Sequence, residues 1–180
     1  MIISRFATAI LFWSTLAAVA HSQVINRANV PPGDATPTGG TFSIRFPIPF
    51  IDMAERGDRF GADPDMMVHM VTGITNTGIR LSAAELPDPN GQLAPVDTFM
   101  DNLKQRLGAG AVLSDVSRDR KEKMEVVSFV LAAHQRGFYF RVIRVEGSQY
   151  ILLVQFPEGQ RDTATEMKEA FFGSFSLARP

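Results

Sequence analysis

Between residues 111 and 156 the chain runs through four apolar stretches separated only by short turns, and this most constrains the fold. The stretches cover about 111–118, 123–133, 138–146 and 149–156, with breaks at Gln135-Arg136-Gly137 and Glu146-Gly147-Ser148. Connections this short force neighbouring strands to run antiparallel. In the second stretch Val126, Val130 and Ala132 alternate with Val127, Phe129 and Leu131; in the fourth, Ile151 and Leu153 alternate with Leu152 and Val154. A sheet open to water on one side shows a cleaner apolar–polar alternation. The pattern therefore predicts an antiparallel sheet covered on both faces.

Two helices are expected to supply the covers. In "PVDTFMDNLKQRLG" (95–108), Val96, Phe99, Met100, Leu103 and Leu107 keep helical spacing. Asp97 and Asp101 lie early, Lys104 and Arg106 late, and Gly108 suits the position just past the end. Near the C-terminus Thr163-Ala164-Thr165-Glu166 fits a capping box, Met167, Ala170 and Phe171 line one face, and Gly173 ends the helix. Residues 174–177 could then close an edge. The expected class is α+β, a three-layer α-β-α sandwich around a central antiparallel sheet.

Upstream, Phe42, Ile44 and Phe46 alternate with Ser43 and Arg45, a half-buried strand stopped by Pro47. The runs 66–75 and 78–86 flank Asn76-Thr77-Gly78, a hairpin turn. Residues 23–40 carry Pro31, Pro32, Pro37, Gly33, Gly39 and Gly40 and show no apolar period. They read as a flexible arm ahead of a single domain over 41–180.

Residues 1–22 form a secretory signal peptide. Arg5 gives the positive start, residues 7–20 (ATAILFWSTLAAVA) the apolar region, and cleavage falls before His21 or before Gln23. Fourteen apolar residues are short for a bilayer span. The product would be periplasmic or secreted, with no stable membrane span. Cleavage removes Arg5 as its only charge and leaves 17 basic against 19 acidic residues. That balance gives no support for nucleic acid or an anionic membrane as partner. The chain has no cysteine, so stability must come from the core.

The strand at 42–47 (FSIRFP), the helix after a hairpin, the stretch 137–159 (GFYFRVIRVEGSQYILLVQFPEG) and the final FFGSF (171–175) together resemble the PsbP-like family. That family includes the extrinsic lumenal protein of photosystem II and bacterial periplasmic relatives. Phe50 stands where its members often carry Trp. The resemblance implies an α-β-α fold used for binding and for assembling other proteins. It carries over no catalytic residues and no cofactor.

One stretch invites chemistry. In "DMMVHMV" (65–71) three methionines flank a histidine, and thioether with imidazole suits Cu(I). On a strand, Met66, Val68 and Met70 share one face, and Met67, His69 and Val71 the other. Met67 and His69 are then the metal candidates and need help from Met53 or His134. The balance favours a plain strand, because Met commonly fills core gaps. Asp58, Asp63 and Asp65 lack EF-hand spacing, with Pro64 between them, and read as a solvated loop. The run 118–123 (RDRKEK) mixes both signs and suits a solvated turn, or a dock for an acidic partner. There is no nucleophile elbow, phosphate loop or zinc spacing. The sequence thus points to a non-enzymatic exported module binding an envelope protein or a small ligand. A copper binder is the alternative, and a hydrolytic enzyme built around acids and His134 stands behind it.

Overall fold

The computed structural model describes residues 23–57 and 65–178. Chain order is β1 (Gln23–Val30), β2 (Gly33–Ala35), β3 (Phe42–Phe46), β4 (Phe50–Arg56), β5 (Met67–Ile74), β6 (Arg80–Pro87), α1 (Val96–Leu107) and β7 (Val112–Lys121). Then come β8 (Met124–Ala133), β9 (Arg136–Val145), β10 (Ser148–Pro157), α2 (Arg161–Gly173) and β11 (Ser176–Leu177). The expected signal peptide lies outside the described residues.

Eight strands make one antiparallel sheet in the order β1-β4-β5-β6-β10-β9-β8-β7, and β11-β3-β2 make a second, three-stranded sheet. The four runs read from the sequence are β7 to β10, paired in series. Their two-sided apolar character has a direct explanation. Val127, Phe129, Leu131, Ile151 and Leu153 face one core with α1. Leu152 and Val154 face a second core, which holds α2 and β3, with Val126 and Val130 packed against it. All five predicted apolar positions of α1 are buried. Phe99 stands edge-on to Phe129 and Phe140, whose rings stack at 4.8 Å.

The molecule is mostly strand around this large antiparallel sheet. The second face carries a helix and a small sheet together, where the sequence pointed to a helix and a closing edge. The small sheet exists because β3, alternately buried and open, pairs with β2 and with β11 away from the main ladder.

Three local expectations need correction. Residues 23–40, expected to be a flexible arm, hold β1 and β2: β1 pairs along β4, and β2 pairs with β3. Ala35 in β2 is fully buried. Backbone pairing, which ignores side-chain period, is what sequence pattern alone could not show. The α2 helix begins at Arg161 with no side-chain cap, so Thr163 and Glu166 lie inside it and form no capping box. Its buried side chains are Ala164, Phe171 and Phe172, while Ala170 is exposed. The phase of the helix, set by Phe171 against Phe46, turns Ala170 outward.

Candidate functional site

Strand β5 settles the layout of "DMMVHMV". Val68 and Met70 enter the α1-side core, whereas Val71 enters the other, so Met67 and His69 share the α2-side face. Met53 pairs with Met70 and lies in the α1-side core, on the wrong face to assist. His134 sits at the β8–β9 turn, its Nε2 2.9 Å from the Leu107 carbonyl oxygen at the end of α1. Neither helper reaches Met67 and His69. No group of three or more His, Asp or Glu side chains is placed to hold a metal among the described residues. Asp58 and Asp63 lie outside those residues.

What surrounds His69 is a polar clamp on one turn. Gly40 donates its N–H to the Pro37 carbonyl at 2.9 Å, and Gly39 has φ +79°. This is the geometry of a type II turn, which needs φ above zero at its third residue. Two buried carboxyls grip the turn from either side. The Thr38 hydroxyl donates to Asp52 Oδ2 at 2.7 Å and the Thr38 N–H lies 3.2 Å from both oxygens. Arg27 Nε donates to Oδ2 at 2.8 Å. Burial pushes the Asp52 carboxyl up, but the bonds from Thr38, Arg27 and Asn26 outweigh it and hold it below the ordinary value.

On the other side Thr41 gives its N–H and its hydroxyl to Glu85, each at 2.7 Å. Tyr150 lies 2.6 Å from the same Thr41 hydroxyl, and burial, with Glu85 adding to it, pushes its phenol up. Glu85 stands directly across the ladder from His69. The imidazole packs so closely on Gly39 that an added Cβ there would meet Cε1 at 2.7 Å. His69 Nδ1 is buried without a hydrogen-bond partner. Each oxygen of the two carboxyls already has donors, so the two carboxyls hold the turn in place, and His69 Nδ1 is the one clamp atom among the described residues left without a partner.

The second feature is at the far end of the sheet. Strand β7 is its outermost member, and it is exposed along nearly all its length. The run 118–123 forms its end and the turn into β8. Arg118 pairs with Asp97 of α1, and Lys123 Nζ lies 2.6 Å from Glu146 Oε2 on the neighbouring hairpin. Beside them opens a broad groove of about 790 Å³, lined by Lys121, Glu122, Lys123, Met124, Val145, Glu146 and Leu177. The sequence singled out 118–123 as charge. It gave no sign that Val145 and Leu177, far along the chain, would place an apolar floor beside it.

No family model matches the chain, and no curated protein matches it. A solved structure does. The solution structure of cyanobacterial PsbP (CyanoP) from Synechocystis sp. PCC 6803 superposes with a TM-score of 0.57 at 14% identity, over 90% of this chain and 98% of that one. The fold is PsbP-like. At this identity the likeness speaks for architecture alone. Phe50 is buried, and its ring lies 5.0 Å from that of Phe46. No described helix is long and apolar enough to cross a membrane.

Proposed function

We propose that this chain is a non-enzymatic accessory protein, exported across a bacterial inner membrane, that binds another protein in the envelope. The observation that carries the reading is the groove between the β7–β8 and β9–β10 turns. Met124, Val145 and Leu177 give it an apolar floor, and Lys121, Glu122, Lys123 and Glu146 a charged rim. An apolar centre within a polar, charged rim is the anatomy of a protein interface. The PsbP-like fold agrees with an accessory role. Export is supported by the signal-peptide pattern of residues 1–22.

Leu177→Glu puts a charge on the groove floor at a position already 39% exposed, so folding should survive. In-cell cross-linking from a photo-reactive residue at position 122 should trap one discrete partner, and Leu177→Glu should remove it. Val24→Glu on the opposite edge strand should leave it unchanged. Equal trapping with Leu177→Glu would remove the groove from the proposal. The mass of the protein from the envelope fraction should match a chain starting at His21 or Gln23. An uncleaved mass would overturn export by this route.

A further inference from the structure

A second opening lies on the α1-side face, well away from the groove. It is a cleft of about 190 Å³ lined by Asn29, Pro49, Phe50, Ile51, Thr72, Gly73, Ile74 and Arg80. Ladder partners place Ile51 opposite Thr72, and Ile74 opposite Arg80, so their side chains share this face. Ile74 is 56% exposed, which is much open apolar surface for a strand residue beside a cleft. The floor is therefore apolar, and one wall is a guanidinium.

Among the described residues that guanidinium has no counter-charge. Arg80 is half-buried and makes no ion pair or hydrogen bond among the described residues. Arg136 of β9, two strands away across β10, has no ion pair either, and its charge acts on Arg80 with the same sign. Burial first, and Arg136 second, lower the pKa of Arg80. Glu158, which follows the ladder partner of Arg136, is committed to Arg161, with bonds of 2.7 and 3.1 Å. Half-burying one cation beside another without an anion costs stability. Methionine would cover the same apolar surface as the arginine stem at no such cost.

We propose that this cleft binds a small amphipathic anion. Its carboxylate or phosphate head would lie on Arg80, with Arg136 adding to the field, and its short apolar body on Ile51 and Ile74. A guanidinium fork matches both oxyanions in bidentate geometry. The two heads are separated by experiment.

The test is amide NMR titration of the mature protein in low-chloride buffer with hexanoate, hexyl phosphate and hexylammonium. Hexanoate, hexyl phosphate or both should shift the amides of Thr72, Gly73, Ile74 and Arg80 in a saturable way, and hexylammonium should not. The head that saturates at lower concentration names the ligand class. Arg80→Met should weaken binding about tenfold, the loss of one charge-assisted pair, and Arg80→Lys less. Arg136→Met, at an exposed position, should weaken it less than Arg80→Met while leaving the fold intact. The proposal is overturned by shifts with hexylammonium equal to those with the anions. No saturable shift from either anion, or binding unchanged in both Met variants, would overturn it as well.

Discussion

Charge is withdrawn from water in two ways on the two faces of this sheet. On the α2 side Asp52 is fully buried and Glu85 nearly so, and every carboxyl oxygen meets a donor from the 37–41 turn, from Arg27 or from Tyr150. On the α1 side Arg80 is only half-buried, and its guanidinium meets no partner among the described residues. More burial with more bonds marks a structural charge; the half-buried, unbonded charge is the one proposed above to serve a ligand. The difference predicts opposite outcomes when each is neutralised.

The largest effect belongs to Asp52. Asp52→Ala strands the Thr38 N–H and hydroxyl in a buried place and leaves Arg27 without its anion. It should cost about 3 kcal/mol, the scale of breaking a buried charged network from one side. Urea unfolding followed by circular dichroism gives the number. A loss below about 0.5 kcal/mol would mean the clamp holds nothing that surface chemistry could not replace.

The clamp was not legible beforehand: Gly39 and Gly40 were read as part of a flexible arm, whereas the β7–β10 meander, the hairpin around Gly78 and helix α1 followed from apolar period and turn residues. Strand β4 did not, because Asp52 sits in its middle as a buried charge and Pro47 and Pro49 flank its start. A buried carboxylate reads as solvated until its donors are known, and those donors lie 14 and 25 residues away. Strand β1 was equally silent. Val24 and Ile25 are exposed, so the strand is held by backbone bonds to β4 and not by an apolar face. Where Met53 and His134 lie relative to Met67 and His69 was equally hidden, because pairing and the β8–β9 turn place them.

Gly39→Ala tests the same clamp through shape. The new Cβ would need a backbone at φ +79° and would press on the His69 ring. A cost of about 2 kcal/mol is expected, combining left-handed strain with the clash. His69→Ala in the same background should return part of it by removing the ring. If it returns nothing, the loss is backbone strain alone.

Acid sharpens the contrast at smaller amplitude. The folded-state pKa of Asp52 lies below its ordinary value of 3.8. Its contribution is therefore complete above about pH 4 to 5 and is lost as pH falls through the lower folded value. Asp52→Asn should lower stability at pH 6 yet flatten its decline between pH 5 and pH 2. Parallel declines in the two proteins would assign the acid sensitivity to other carboxyls.

Arg80→Met should do least, and its sign matters more than its size. The substitution keeps an unbranched apolar stem over Ile74 and removes a desolvated cation that repels Arg136. Nothing inside the chain loses a partner, since none of the described residues bonds to that guanidinium. The expected change is between zero and a gain of about 1 kcal/mol, in line with replacing unfavourable buried charge by packed apolar groups. A chain that gains stability when this arginine goes, but loses anion binding, would be keeping Arg80 for its ligand. A clear loss of stability with no change in binding would instead place Arg80 with Asp52, as a charge that serves the fold.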